Sequence, residues 1–163
     1  MADEKNSEVL KLLFKKFNYG LYVLGAAFED QFDLITCSWV MQTSFYLGGV
    51  VINIEKDRTV YSLIRKKNLF TISILGKENL DEATLCALTE EKRLEVIDSL
   101  KMERTADGIP YLKNSIGYMN CEYSNSFKLE NSVLLVGNPV GGLILSDGES
   151  LTLHDYYKMS GLT

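Results

Sequence analysis

The chain has 163 residues, of which 46% are hydrophobic, and its formal net charge of −5 comes from 22 acidic and 17 basic residues. A chain of this length buries a substantial core without disulfides or metals, so we expect a single domain over residues 1–163. The acidic balance gives no basic field for gathering nucleic acid or anionic lipid, which excludes nucleic-acid-binding and membrane-surface proteins as classes.

Cysteine and histidine usage limits the chemistry further. Cys37, Cys86 and Cys121 have neither a metal-like spacing nor a C-x-x-C motif, and their odd number argues against a disulfide framework. His154 is the single histidine, so neither a histidine-rich metal site nor a Ser-His-Asp triad is expected. The N-terminus is charged where a secretory signal would be apolar, and no apolar run approaches membrane-spanning length, so we expect a cytoplasmic protein.

The first predicted element is an amphipathic helix over residues 7–17. Its apolar positions recur at helical spacing, lysines occupy other faces, and Ser7 offers an N-cap. A β-hairpin follows, because Leu21–Ala27 and Phe32–Cys37 are apolar β-like runs and the polar residues 29–31 form a turn between them.

The segment Thr36–Ser44 is rich in hydroxyl groups and carries the only tryptophan. Two interpretations of it remain open. Its hydroxyls and backbone N–H groups could hydrogen-bond a flat polar ring while the indole of Trp39 covers an apolar edge of that ring. Alternatively, it is a half-buried strand in which Thr36, Ser38 and Gln42 face water and Trp39 fills the core.

Residues 44–55 form the next predicted strand, which is rich in β-branched side chains. A helix is then predicted to open at Asp57-Arg58-Thr59, and Asn68 can close it in the left-handed conformation. A helix N-terminus presents unpaired N–H groups and a partial positive charge, so this one suits a phosphate group. The alternative is that Asp57 or Thr59 is only an N-cap and Arg58 a solvated charge.

The second half of the chain is predicted to combine strands and turns with one helical insert. Residues 81–100 are expected to be helical, in two pieces broken near Thr89, and to cover the surface. The remaining predicted elements are strands at 70–75, 115–123, 132–137, 140–146 and 150–153, with a turn at 107–110.

Five segments, in this order and at these distances, resemble the flavin reductase-like family of FMN-binding split barrels. They are Tyr19–Gly25, Thr36–Ser44, Asp57–Leu75, Val136–Val140 and Asp147–Tyr156. The resemblance covers nearly the whole chain and implies an α+β fold that is mainly β. This fold is an antiparallel Greek-key split β-barrel with covering helices, and the predicted N-terminal helix would cover an open end or side of the barrel.

The resemblance also implies FMN as the cofactor, with NADH or NADPH as co-substrate. The residues implied to bind the cofactor are Thr36, Cys37, Ser38, Trp39, Ser44, Lys56, Arg58, Thr59 and Tyr156. Among them, the segment 36–39 would line the isoalloxazine, and Arg58 and Thr59, aided by Lys56, would hold the phosphate. No catalytic side chain and no metal are implied, because the flavin itself carries the redox chemistry.

Two departures from the family pattern bear on function. Asp33 stands where an asparagine is usual, and it either points inward near the flavin edge or only caps the turn. Glu130-Asn131-Ser132 stands where many reductases of the family have Gly-Asp-His, so no histidine is available beside the flavin. Hydride transfer needs no protein acid, so the second departure argues against efficient NAD(P)H use without excluding it.

Three functions remain open from the sequence. The first is an FMN-dependent oxidoreductase that takes hydride from NAD(P)H and passes electrons to free flavin, a rubredoxin or another small acceptor. The second is a flavoprotein electron carrier without useful NAD(P)H activity, and the third is a split barrel that has lost FMN. The Ser38-Trp39 pair is more similar to flavoredoxin and NAD(P)H:rubredoxin oxidoreductase members than to monooxygenase partners. The resemblance further implies a homodimer.

Overall fold

A computed structural model describes residues 2–46 and 48–161, with side chains from residue 6 onward. The helices are α1 (Ala2–Phe14), α2 (Thr59–Lys67), α3 (Leu80–Cys86), α4 (Glu90–Val96) and α5 (Leu153–Ser160). The strands are β1 (Tyr22–Phe28), β2 (Gln31–Cys37), β3 (Val40–Gln42), β4 (Val50–Glu55), β5 (Leu69–Ile74), β6 (Met102–Arg104), β7 (Pro110–Leu112), β8 (Gly117–Lys128) and β9 (Ser132–Ile144).

Seven of these strands form one antiparallel sheet in the order β2-β1-β5-β8-β9-β4-β3. β2 and β4 lie near opposite ends of this order, yet they contact each other and bury side chains in the same core. The sheet therefore curves round into a split barrel, as predicted. β6 and β7 form a separate two-stranded sheet, which the sequence did not predict.

Successive side chains of a strand point to opposite faces of the sheet, and the buried ones form two hydrophobic cores, one inside the barrel and one outside it. In β4, Val50, Ile52 and Ile54 point into the barrel, so the intervening residues Val51 and Asn53 point outward. A second core lies outside the barrel, where α3, α5 and the loop before β6 pack against β1 and β2. Asn53, on the outward face of β4, lines the candidate functional site.

The helix after β4 begins and ends close to the predicted positions. α2 buries its apolar side against the barrel, and Asn68 closes it with φ 61°, the left-handed conformation that the sequence predicted. The insert at residues 81–100 also has the predicted form, with α3 and α4 separated at Leu88–Thr89 and a short 3-10 helix, Ile97–Ser99, after them.

The predicted role of the N-terminal helix is wrong. The helix is present, but it runs over Ala2–Phe14, and every described side chain on it is exposed, including Leu12 at 60% and Phe14 at 59%. The helices that pack against the two cores are α2, α3 and α5, and no described residue of α1 belongs to either core.

Three strand predictions also need correction. The strand predicted at 44–55 is confined to β4, and the polar segment before it contributes the short strand β3. The strands predicted at 132–137 and 140–146 are one continuous strand, β9, in which Pro139 lies beside an irregularity in the β8 ladder that tolerates its missing N–H. Residues 150–153 form only isolated bridges, at Ser150 and Thr152, and α5 begins at Leu153.

Candidate functional site

A cavity of about 220 Å³ lies on the outer side of the barrel, where β2, β4, α2 and α3 come together. Its walls come from the end of β2 and the two residues after it, from the last three residues of β4, from the start of α2 and from the end of α3. The lining residues are Ile35, Thr36, Cys37, Ser38, Trp39, Asn53, Ile54, Glu55, Arg58, Cys86 and Ala87. The segment 36–39 and Arg58, predicted from the sequence, thus meet at one site.

The end of β2 is fixed to α3 on one side of this cavity. The Thr36 hydroxyl donates a hydrogen bond to the Ala83 carbonyl at 2.7 Å, so it joins strand to helix. Cys37 is buried, and burial raises the pKa of its thiol to about 12, although a backbone hydrogen bond with Leu24 acts in the opposite direction. Burial also raises the pKa of Cys86 to about 12. Both thiols therefore remain protonated at neutral pH and offer no nucleophile.

Trp39 projects at the mouth of the cavity. The chain leaves β2 after Cys37 and enters β3 at Val40, and the indole between them lines the cavity while 56% of the residue stays exposed. The interpretation in which Trp39 fills the core is therefore wrong. A large aromatic ring with a free face is what a flat apolar ligand can stack against.

Asn53 supplies the most informative polar atom of the site, and the sequence analysis missed it. Its Oδ1 is buried and has no hydrogen-bond partner within the described part of the chain, while its backbone N–H donates to the Trp39 carbonyl at 2.9 Å. A buried, unpaired amide oxygen is costly unless a ligand or water donates to it. The available signal was a lone polar residue at an outward position of a β-branched strand.

The N-terminus of α2 forms the other wall. The N-cap is Arg58, which has extended backbone and makes no side-chain capping bond, so neither Asp57 nor Thr59 caps this helix as the alternative had it. Arg58 Nε instead donates to Glu55 Oε2 at 2.7 Å, and the Thr59 hydroxyl donates to Glu90 Oε1 at 2.6 Å. In the first turn, the Tyr61 N–H donates to the Arg58 carbonyl at 3.1 Å, and the N–H groups of Thr59 and Val60 remain available to an anion.

Four predicted cofactor residues do not line the cavity, namely Ser44, Lys56, Tyr156 and Thr59, whose hydroxyl is bonded to Glu90. Ser44 is exposed and donates to the Tyr46 carbonyl at 2.5 Å. Lys56 Nζ donates to the Glu130 carbonyl at 3.2 Å. Tyr156 is buried in the outer core, where its hydroxyl accepts from Thr84 Oγ1 at 3.3 Å. A role for these side chains in binding a cofactor stays a prediction that this arrangement does not support.

Asp33 follows neither of the two interpretations left open by the sequence. Both of its carboxylate oxygens accept from Arg93, at 2.9 Å from Nε and 2.9 Å from Nη2, and both side chains are almost completely buried. Arg93 Nη1 also donates to the Leu88 carbonyl at 2.7 Å. This network joins α4 to β2 and so positions the end of α3, which lines the cavity.

The described residues contain neither a cluster of metal-ligating side chains nor a helix that could span a membrane. Between residues 2 and 46 and between 48 and 161, no group of three or more His, Cys, Asp or Glu side chains is placed to hold a metal ion. Over the same part of the chain, no helix combines the length and apolar character needed to cross a membrane.

Comparison with known sequences gives one family match and several relatives. The family model described as "Flavin reductase like domain" matches residues 14–161. The ferric-chelate reductase (NAD(P)H) of Archaeoglobus fulgidus is 20% identical over 152 residues, covering 90% of this chain and 88% of that protein. Diflavin flavoprotein A 1 of Synechocystis is 23% identical over 141 residues, covering 86% of this chain but 24% of that protein. The chain spans only 19% to 24% of the first four diflavin flavoproteins that it matches.

Comparison with solved structures supports the fold. The NADH:FAD oxidoreductase SgcE6 of Streptomyces globisporus superposes with a TM-score of 0.79 at 15% identity, covering 91% of this chain and 88% of that one. At this level of identity the likeness shows a shared split-barrel fold and nothing finer.

Proposed function

Since the chain belongs to the family of flavin reductase-like domains, we propose that it binds FMN and acts as an oxidoreductase. It takes hydride from NADH or NADPH and passes the electrons to free flavin, a rubredoxin or another small acceptor. The observation that carries this proposal is the cavity in which the exposed indole of Trp39 and the unpaired Oδ1 of Asn53 meet the uncapped start of α2. The name of the Archaeoglobus relative, a ferric-chelate reductase that uses NAD(P)H, supports the same reaction class.

The residues at the cavity fit a flavin. The isoalloxazine is a flat ring system with one imide N–H donor, and Asn53 Oδ1 is a buried acceptor without a partner. Trp39 offers an apolar face. Arg58 and the first-turn N–H groups of α2 suit the anionic end of the ribityl chain. When bound, the flavin supplies the hydride acceptor and the electron carrier.

The chain's own contribution is to bind and orient. Trp39 stacks on the ligand and keeps water from one face of it, and Asn53 fixes the orientation of the ring by accepting its N–H. Arg58 and the start of α2 hold the phosphate. Cys37 takes no part in proton transfer, because its thiol, with a pKa of about 12, stays protonated. Hydride transfer between two bound rings requires no protein acid or base.

The size of the cavity supports a homodimer. About 220 Å³ is less than the roughly 300–1,000 Å³ of pockets that enclose a ligand. A second copy could complete the enclosure. The chain also exposes apolar side chains along the end of β9, among them Leu143 at 57% and Ile144 at 83%, which a dimer interface would bury.

A second candidate is an electron carrier that takes electrons from a protein donor instead of NAD(P)H. The turn between β8 and β9 carries Glu130-Asn131-Ser132, so no histidine is supplied there. His154, the only histidine, is exposed on α5 and does not line the cavity.

The test is a visible absorption spectrum of the protein after incubation with excess FMN and gel filtration, followed by anaerobic addition of NADH or NADPH. Retained flavin bands that bleach with either nucleotide support the reductase. Bands that persist with both nucleotides and bleach with dithionite support the electron carrier. A colourless protein contradicts the binding of FMN.

A further inference from the structure

We propose that Glu90 determines which flavin the site prefers, by selecting against negative charge at the end of the ribityl chain. This inference rests on the proposed flavin site and goes beyond it. The site would bind riboflavin, which carries no phosphate, in preference to FMN and FAD. The phosphomonoester of FMN carries between one and two negative charges at neutral pH, and the pyrophosphate of FAD carries one on each of its two phosphoryl groups.

The argument begins with the hydroxyl of Thr59. Thr59 is the first residue of α2, at the point where a phosphate would meet the helix N-terminus. Its hydroxyl is not free, because it donates to Glu90 Oε1 at 2.6 Å. Glu90 is the first residue of α4, and this contact brings its carboxylate to the start of α2. An incoming phosphate must therefore displace a carboxylate or lie beside one.

The neighbouring charges do not offset this carboxylate. Arg58 is the cation that lines the cavity, and its Nε already donates to Glu55, whose carboxylate lies 2.7 Å away and also lines the cavity. Lys56 donates to the Glu130 carbonyl and does not line the cavity. Glu90 does not line the cavity either. The charges of Glu55, Lys56, Asp57 and Arg58 cancel, so Glu90 brings the charged side chains around the start of α2 to a net charge of −1. A phosphomonoester is favoured by an excess of positive donors, which this group of side chains does not provide.

The asymmetry between the two ends of the cavity points the same way. At the ring end, Asn53 Oδ1 is buried and unpaired, so a ligand donor is needed there. At the helix end, the polar side chains already have partners. The site is therefore arranged to recognise the ring of the flavin, and a negative charge at the end of the ribityl chain lowers the affinity.

The experiment measures dissociation constants for riboflavin, FMN and FAD, by flavin fluorescence titration, in the unmodified chain and in Glu90→Gln. Glutamine keeps an acceptor for the Thr59 hydroxyl and removes only the charge. We expect Glu90→Gln to strengthen the binding of FMN and of FAD about tenfold relative to riboflavin. Glu91→Gln, at the exposed next position of α4, is the matched control and should leave all three constants unchanged.

A charge-conserving variant keeps the test decisive if the glutamine disturbs α4. Glu90→Asp retains the carboxylate, so it should keep the preference for riboflavin over FMN. If FMN and riboflavin shift together in Glu90→Gln, or if neither shifts, the role of Glu90 is overturned while the flavin site stands. If the unmodified chain and every variant fail to bind any of the three flavins, both the site and the inference are overturned.

Discussion

Two arginine–carboxylate pairs flank the cavity, and they differ in burial and in the number of hydrogen bonds, two for Arg93 with Asp33 and one for Arg58 with Glu55. Behind the cavity, Arg93 Nε lies 2.9 Å from Asp33 Oδ1, with side chains 0% and 1% exposed. At its front, Arg58 Nε lies 2.7 Å from Glu55 Oε2, with side chains 32% and 69% exposed. The donor and acceptor types are the same and the shorter contact is the exposed one, so the distance does not indicate which pair matters for the fold.

Burial therefore decides what each pair does: the buried pair stabilises the fold, and the exposed pair is free to bind a ligand. Inside the protein, an ion pair that loses one partner leaves a buried charge without compensation, so Arg93 and Asp33 must stay together. Arg93 also holds the Leu88 carbonyl, and the pair thereby fixes the helices that form the cavity wall. At the front, water and salt screen the Arg58–Glu55 pair, so Arg58 can exchange its partner for a ligand.

The strongest test of this contrast is Arg93→Ala. It leaves Asp33 buried without a counter-charge, so we expect the free energy of unfolding to fall by about 3–5 kcal/mol. Urea denaturation followed by circular dichroism measures the change. Lys92→Ala, at the preceding exposed position of α4, is the control and should cost no more than about 0.5 kcal/mol.

A double-mutant cycle isolates the pair itself. Asp33→Ala combined with Arg93→Ala removes both buried charges, so the double variant should lose clearly less stability than the sum of the two single losses. Additive losses would mean that the two side chains act independently and that their contact does not hold the helical insert.

The next largest effect concerns Trp39, on the open side of the cavity. Trp39→Ala should weaken flavin binding about tenfold, since aromatic stacking on a flat ring contributes on the order of 1–3 kcal/mol. Stability should change little because more than half of the residue is exposed. Phe45→Ala is the control, because Phe45 is fully exposed and does not line the cavity. Equal flavin affinity in the two variants would remove Trp39 from the site.

Asn53→Ala separates binding from folding more sharply. The substitution deletes a buried oxygen that has no partner, so it should not lower the stability of the flavin-free protein, and it should weaken flavin binding about fivefold through the lost hydrogen bond. Asn120→Ala is matched to it, because Asn120 Oδ1 is also buried and unpaired but lies outside the cavity. A stability loss with unchanged flavin affinity would make Asn53 structural.

These contrasts also show why the sequence predicted the fold better than the site. The hairpin β1–β2, the helix ending at Asn68 and the break at Thr89 depend on local signals, which a sequence displays directly. The continuity of β9 through Pro139 depends on its pairing with β8, and the exposure of α1 depends on whether the helix packs against the rest of the chain. Both are tertiary facts that local patterns do not carry.

The site shows the same division. The segment 36–39 was predicted as a unit because it is contiguous, and Arg58 because it opens a helix. Asn53 lies in β4, whose other side chains are mostly β-branched and apolar, so the sequence did not single it out as a site residue. Arg93 stands among charged, exposed neighbours in α4, and its partner Asp33 is 60 positions away in sequence. No periodicity marks one charged residue of a surface helix as buried.

The smallest expected change in stability is that of Glu55→Gln, which is compared with the same type of substitution, Asp33→Asn, in the buried pair. Glu55→Gln and Asp33→Asn each replace a carboxylate by an amide of the same shape. We expect Glu55→Gln to alter stability by no more than about 0.5 kcal/mol, with the difference shrinking further as salt is added, because the pair is exposed and screened. Asp33→Asn leaves Arg93 as an uncompensated buried charge and should cost several times more. Denaturation of both variants at low and high salt measures the loss in the free energy of unfolding. Equal losses would show that burial is not what distinguishes the two pairs.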